Sequence, residues 1–131
     1  MSEAEPGGPS RVWTVDEANA ALGWVSDVVA RAQGLWDDYR FRTVRRARLA
    51  RQNGHGLLPA DPSPIQSCID ELAAGGIVLR DIERGLIDFP AQAPSGRWYW
   101  LCWLAGEDAV EWWHWPEDGF GGRTRLDDPP T

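Results

Sequence analysis

The sequence predicts an α+β fold in which a long N-terminal helix and a second, shorter helix pack on an antiparallel meander of about four strands. Two observations predict this class. In the first half of the chain, apolar residues recur three and four positions apart, which is the spacing of one helix face. In the second half, short β-branched and aromatic runs alternate with glycine and proline turns, which is typical of antiparallel strands.

The length of 131 residues fits one domain. We expect a disordered Gly/Pro-rich tail over 1–12, a single α+β domain over 13–126 and a short tail over 127–131. Two cysteines are too few for a disulfide scaffold, and no apolar run has the length of a membrane span or the pattern of a secretory signal. These features predict a cytoplasmic protein with reduced thiols, without membrane association.

The first helix is predicted to begin at a capping box formed by Thr14 and Glu17. Its apolar face then comprises Ala18, Leu22, Val25, Val29, Ala32, Trp36 and Tyr39. This stripe of about three heptads is longer than one small sheet covers, so it predicts a homodimer through the first helix. A metal-free interaction module of this kind is one of the functions that the sequence leaves open.

An arginine-rich segment, 40–51, follows the stripe. It carries six arginines and no acid, which leaves a net charge of −13 for the rest of a chain whose total is −7. The acidic total argues against nucleic acid and anionic membranes as partners. The segment is therefore interpreted as a solvated helix end that pairs with acidic surface of its own chain or of a partner, and the Asn53–Gly56 sequence is predicted to end the helix.

The second helix is predicted to begin with Ser63 as N-cap, Pro64 in the first turn and Gln66 closing another capping box. It buries Ile65, Cys68, Ile69 and Leu72, and Gly75 ends it. An antiparallel arrangement with the first helix follows from the intervening loop.

Four strands are then predicted over 77–82, 86–90, 98–104 and 110–115, and Pro90 is expected to end the second strand or to place it at an edge. With a hairpin loop at 105–109, Cys102 lies opposite Trp112 and Trp100 opposite His114. Because side chains alternate along a strand, Cys102 and His114 then become diagonal neighbours on one face. A slip of one residue would separate them.

Several short strings in the second half resemble one bacterial family. They are GLIDFP at 85–90, LCW followed by GE within 101–107, WH at 113–114 and GFGGR at 119–123; TVDEANAAL at 14–22 resembles the family's beginning. The chain is thus similar, over nearly its whole length except 40–63, to domain-of-unknown-function family 2203. The resemblance implies no activity. It implies positions that merit attention: Asp88, Cys102, Trp103, Glu107, Trp113, His114, Gly119 and Arg123.

A divalent metal site is the sharpest functional hypothesis. His114, Glu107 and Asp88 have side chains that bind Zn, Mn or Fe(II), and Glu117 or Cys102 can complete the ligand set. A site with open coordination positions suits hydrolysis or oxygen chemistry. The competing interpretation is a hydrogen-bonded His114 packed among tryptophans and a Glu107 that serves only the turn.

A small-molecule pocket walled by tryptophan is the second hypothesis. Six of the nine tryptophans lie within 98–115, more than one small core needs. The candidate ligand-binding residues are Cys102, Trp103, Trp113, Glu117 and Arg123. Nucleophilic catalysis by Cys102 is a third hypothesis, although a thiol in mid-strand is usually buried and inert.

The glycine-rich stretch at 119–123 leaves two interpretations open. It can form a backbone anion nest with Arg123 as counter-charge. It can equally be a turn in which Arg123 pairs with a local acid such as Asp118 or Glu117.

Overall fold

The fold is taken from a computed structural model that describes residues 11–53 and 60–131. The predicted tail over 1–12 therefore lies outside the described residues except for Arg11 and Val12, and so does most of the predicted helix end at 53–56. Two helices, α1 (Val15–Asn53) and α2 (Ser63–Ala73), precede a five-stranded antiparallel sheet. The α+β fold class is confirmed.

The strands are β1 (Val78–Asp81), β2 (Leu86–Gln92), β3 (Trp98–Leu104), β4 (Trp112–His114) and β5 (Thr124–Arg125). They are hydrogen-bonded in chain order, so the sheet is a meander. The fifth strand was not predicted, because two residues are too short to show an alternating pattern. No helix in the described ranges combines the length and apolar character that crossing a membrane requires.

Helix α1 begins at the predicted capping box. The Thr14 amide donates to Glu17 Oε1 at 3.0 Å, and the Glu17 amide donates to Thr14 Oγ1 at 3.1 Å. The buried face includes Ala18, Val25, Val29 and Ala32 as predicted, and also Val28. The helix continues through the arginine-rich segment, since arginine and alanine favour helix even without a packing partner.

The predicted cap of α2 is wrong in detail. Pro62 is the N-cap residue and the cap has no side-chain hydrogen bond. Asp61 accepts from the Ser63 amide instead, and the Gln66 side chain donates to Asp70 one turn later. Asp61 and Asp70 thus form hydrogen bonds with the groups that a Ser63–Gln66 capping box would have used. Ile65, Cys68 and Leu72 are buried as predicted.

The two helices are antiparallel. Glu71 near the end of α2 accepts from Trp24 and Arg31, whereas Ile65 near its beginning lies beside Leu35 and Tyr39. Their apolar faces share one core with the sheet side chains Ile87, Phe89, Tyr99, Leu101, Trp103 and Trp113. The helices therefore cover one face of the sheet and leave the other face to the loops.

Pro90 does not end β2, but it lies where one side of the strand is a local edge, which is the second of the two predicted alternatives. β2 runs to Gln92 between β1 and β3, but β1 pairs only as far as Val78 opposite Asp88. At Pro90 that side of β2 is a local edge, where the Pro90 carbonyl accepts from the Trp13 amide at 2.8 Å. Proline's missing N–H group removes no ladder hydrogen bond at such a position.

Candidate functional site

Three side chains that carry chemistry meet on the sheet face opposite the helices. In the observed register Asp88 pairs with Cys102, Cys102 with Trp112, and Trp100 with His114. The predicted register of β3 and β4 is thus confirmed. Because residues two apart share a face, this register brings Asp88, Cys102 and His114 together from β2, β3 and β4.

His114 is fixed through both ring nitrogens. Its Nε2 lies 3.0 Å from Asp88 Oδ2, and its Nδ1 lies 2.8 Å from the carbonyl oxygen of Trp115. A carbonyl oxygen only accepts, so Nδ1 carries a proton and Nε2 is the nitrogen that faces the carboxylate. His114 and Asp88 are 4% and 2% exposed, so water does not compete for these contacts.

The two oxygens of the Asp88 carboxylate differ in their hydrogen bonding. Oδ2 accepts from Arg80 Nε at 3.0 Å as well as facing His114. Oδ1 is buried and has no hydrogen-bond partner among the residues that the structure describes. Buried polar atoms are nearly always partnered, so this oxygen has room for a further partner such as a water molecule or an ion.

Cys102 lies opposite Asp88 on the neighbouring strand and is fully buried. One ligand atom each from Asp88, Cys102 and His114 lies within 4.8 Å of the other two. Burial, followed by the nearby Asp88 charge, raises the pKa of the Cys102 thiol to about 12. The free thiol is therefore poorly suited to act as a nucleophile, whereas a bound cation would favour its thiolate form.

The pKa of His114 is raised overall. Burial acts to lower it, but the hydrogen bond that the ring donates to Asp88, the contact with the Trp115 carbonyl and the Asp88 charge together outweigh burial. Arg80 acts in the opposite direction to Asp88. The contact with the Asp88 carboxylate thus favours the protonated form of the ring.

A pocket of about 280 Å³ opens beside the Asp88–His114 pair. Its walls combine these two polar residues with one cation and several apolar or small residues: Arg80, Leu86, Pro116, Gly119 and Phe120. A mostly apolar pocket with a few convergent polar groups is the usual form of a small-ligand site.

Glu107 lies outside the Asp/Cys/His group. Its carboxylate receives both Arg123 Nη atoms, at 3.2 and 2.9 Å, and its Oε1 also accepts from the Leu104 amide at 2.7 Å. The Arg123 guanidinium stacks over Trp112 and Phe120 and comes within 4.0 Å of Cys102 Sγ. Glu107 and Arg123 thus form a largely buried ion pair that closes the hairpin loop next to the site.

The remaining candidate residues lie further away. Trp103 and Trp113 face the helix side of the sheet, where their indoles donate to the carbonyls of Glu107 and Asp128. Glu117 forms a surface ion pair with Arg97. Arg123 pairs with neither Glu117 nor Asp118, although both were considered as its partner from the sequence.

Four residues of the pocket wall were not named as site residues from the sequence: Arg80, Leu86, Pro116 and Phe120. The position of Arg80 could have been predicted from the sequence. Strand alternation puts Arg80 on the same face as Val78, and Val78 pairs with Asp88. Phe120 belongs to a short turn, Phe120–Gly122, whose position relative to the sheet no local pattern predicts.

The family model for an uncharacterised conserved protein, domain-of-unknown-function family 2203 (DUF2203), matches residues 11–126. This range includes both helices and all five strands, so the chain belongs to that family. No curated protein and no solved structure matched the chain.

Proposed function

We propose that this member of the DUF2203 family binds one divalent transition-metal ion through Asp88, Cys102 and His114. The observation that carries the proposal is the buried cluster of Asp88, Cys102 and His114, in which one oxygen of the Asp88 carboxylate, Oδ1, has no hydrogen-bond partner among the described residues. A cation there would give Oδ1 the partner it lacks and would replace the proton between His114 and Asp88.

The state of His114 supports the proposal. A metal-binding imidazole usually donates its other ring N–H to a carbonyl or a carboxylate, which orients the ring. The contact between Nδ1 and the Trp115 carbonyl supplies that second interaction and leaves Nε2 as the ligand atom. In the observed state Nε2 contacts Asp88, so it becomes a ligand atom only when the ion displaces the proton that lies between Nε2 and the carboxylate.

The donor set favours Zn²⁺. Sulfur, imidazole nitrogen and carboxylate oxygen together suit a borderline-soft ion that prefers four ligands. A thiolate and a carboxylate balance the charge of a divalent ion, which offsets the cost of burying it. Three protein ligands leave a fourth position, and the pocket beside Asp88 and His114 gives that position access to small molecules. This open arrangement is typical of catalytic zinc sites, where the ion activates water or polarises a carbonyl.

Metal content of the full-length protein, purified without an affinity tag or chelator, tests the proposal. We expect about one equivalent of zinc, or uptake of one equivalent of added Zn²⁺ or Co²⁺. The Co²⁺ form should show a thiolate-to-cobalt charge-transfer band that Cys102→Ser abolishes. Asp88→Asn and His114→Gln should each weaken Co²⁺ binding at least about 100-fold.

Glu111→Gln is a matched control, because Glu111 is an acid beside β4 whose ion pair with Arg125 is exposed. This variant should retain full metal binding. Retention of one tightly bound metal by the combined Asp88→Asn, Cys102→Ser and His114→Gln variant would refute the proposal, and so would failure of the folded wild-type protein to take up any of these ions.

Self-association is a second candidate function, favoured by an exposed apolar strip on α1. Phe41 and Val44 are 66% and 58% exposed, and with Arg45, Arg48 and Leu49 they line a groove of about 360 Å³. Their spacing is that of one helix face. We propose a second copy of the chain as the partner, because Arg45 and Arg48 on this strip are complementary in charge to a molecule whose net charge is −7.

The mass of the full-length protein in solution tests this second candidate. We expect a dimer at low ionic strength that dissociates as salt is raised, since salt screens contacts between exposed charges. A monomer at all concentrations and salt conditions would contradict it.

A further inference from the structure

We propose that the pocket beside Asp88 and His114 binds a small organic carboxylate, with Arg80 recognising the carboxylate group. The inference rests on the proposed metal site and names the class of ligand that would occupy the open coordination position. Three features of the described residues carry it: the hydrogen-bonding state of Arg80, the charge of the site and the composition of the pocket wall.

Arg80 has unused hydrogen-bonding capacity at the pocket. Its Nε donates to Asp88 Oδ2, and its guanidinium lies 4.8 Å from the centre of the Trp100 ring. Within residues 11–53 and 60–131 its two Nη groups have no acceptor, and the side chain is 42% exposed. Asp88 and Trp100 thus hold the guanidinium in place while its terminal N–H groups remain available. A fixed guanidinium is well suited to a planar carboxylate, which accepts two parallel hydrogen bonds from it.

The net charge of the site favours a monoanion. The negative charges of the Asp88 carboxylate and the Cys102 thiolate balance the charge of a divalent ion. The Arg80 guanidinium then gives the site a net charge of one positive unit. A carboxylate neutralises this charge, whereas a phosphate dianion would leave a negative charge beside the buried Asp88 side chain. Glu107 does not supply the balancing charge, because Arg123 already occupies its carboxylate.

The pocket wall favours an organic ligand over an inorganic ion. Leu86, Pro116 and Phe120 contribute apolar surface next to the polar end formed by Arg80, Asp88 and His114. A ligand that places its carboxylate at the polar end would bury a short hydrocarbon or aromatic body against these side chains. The volume of about 280 Å³ limits that body to a small molecule.

Calorimetric titration of the zinc-loaded full-length protein with isobutyrate, benzoate and inorganic phosphate tests the inference. We expect both carboxylates to bind, each more tightly than phosphate at equal ionic strength. In the Co²⁺-loaded protein they should also change the visible spectrum, because a carboxylate oxygen enters the coordination sphere.

Variants of Arg80 separate recognition of the ligand from binding of the metal. Arg80→Met should weaken carboxylate binding at least about tenfold, and Arg80→Lys should restore part of it by restoring the charge. Arg84→Met is the matched control, because Arg84 approaches the Phe120 ring but pairs with Asp81. It should bind carboxylates as the wild type does.

The outcomes distinguish the two proposals. Stoichiometric metal without carboxylate binding, phosphate binding tighter than carboxylate binding, or wild-type affinity in Arg80→Met would each overturn the inference and leave the metal site intact. Absence of metal uptake would overturn the proposed function and this inference together.

Discussion

His114 and Asp88 join two strands that are not neighbours. Nε2 of His114 on β4 lies 3.0 Å from Oδ2 of Asp88 on β2, and β3 runs between them. The contact spans the sheet because both side chains stand on the same face, over the position of Cys102. The pair thus links β2 and β4 across β3 and at the same time forms part of the polar end of the pocket.

Replacing Asp88 by asparagine should destabilise the metal-free protein. Asparagine keeps the shape of the side chain but loses the charge that faces His114 and Arg80, and truncating a buried charged partner leaves the other group uncompensated. Because Arg80 is partly exposed, we expect a loss of about 2 kcal/mol in the free energy of unfolding rather than the full cost of a buried pair. Urea unfolding in the presence of a chelator measures it.

Glu111→Gln provides the comparison for this measurement. Its ion pair is on the surface, so we expect a change within about 0.5 kcal/mol. Equal stability of Asp88→Asn and wild type would show that the His114–Asp88 contact contributes nothing to the fold.

We also predict which ring nitrogen of His114 carries a proton. Since the Trp115 carbonyl accepts from Nδ1, this nitrogen should stay protonated both with and without metal, while Nε2 exchanges its proton for the ion. Nitrogen-15 NMR of the histidine ring with added Zn²⁺ distinguishes the two nitrogens. A metal-bound Nδ1 would contradict both the tautomer and the assignment of Nε2 as the ligand atom.

The pairing of the site strands could be predicted because the sequence is strongly patterned there. Alternation along 98–104, together with a five-residue loop, predicts the Cys102–Trp112 and Trp100–His114 pairs that the structure has. To predict that Asp88 lies close to Cys102 and His114, the register of β2 against β3 must also be known. The turn before β2 contains Gly85, whose φ of +70° and close approach to Ala105 exclude a side chain.

Contacts formed by loops could not be predicted in the same way. Glutamate is a common metal ligand, which is why Glu107 was predicted at the metal site. Its carboxylate instead forms an ion pair with Arg123, sixteen residues further along the chain. Arg123 reaches Glu107 because the turn at Phe120–Gly122 and the two-residue strand β5 return the chain to the sheet. No periodic pattern in the sequence predicts that the chain returns to the sheet at this point. Residue type alone therefore does not show which acidic side chains are available to bind a metal.

Removing the Glu107 carboxylate should affect stability and not metal binding. Glu107→Ala leaves Arg123 and the Leu104 amide without their acceptor. Since both ion-pair partners are mostly but not fully buried, we expect a loss of about 1–3 kcal/mol in the free energy of unfolding. Metal stoichiometry should stay at the wild-type value when measured well below the midpoint of thermal unfolding. Loss of metal from a folded Glu107→Ala protein would mean that Glu107 is itself a ligand.

Glu17 should make the stability of α1 depend on pH in the acid range. Hydrogen bonds from the Thr14 amide and hydroxyl lower the pKa of Glu17 below its usual value of 4.5. A carboxyl group whose pKa falls on folding contributes stability above its unfolded-state pKa, and this contribution is lost as pH falls through the folded-state pKa. Glu17→Gln retains an acceptor for the Thr14 amide but does not titrate.

We therefore expect the stability difference between wild type and Glu17→Gln to be present above pH 4.5 and to vanish on further acidification. Urea unfolding at a series of pH values measures this difference. A difference that grows towards low pH would contradict the direction of the Glu17 shift.

The exposed strip of α1 supplies a last prediction. If a second copy of the chain covers Phe41 and Val44, the double substitution Phe41→Glu and Val44→Glu should produce a monomer, because it places two charges in an apolar contact. Sedimentation equilibrium measures the mass. Val12→Glu, at a comparably exposed valine that lies before α1, should leave the dimer intact. Both variants should bind metal as the wild type does, because the Asp88–Cys102–His114 cluster lies on the opposite side of the sheet from the helices. A dimer that survives the double substitution would assign the interface to another surface.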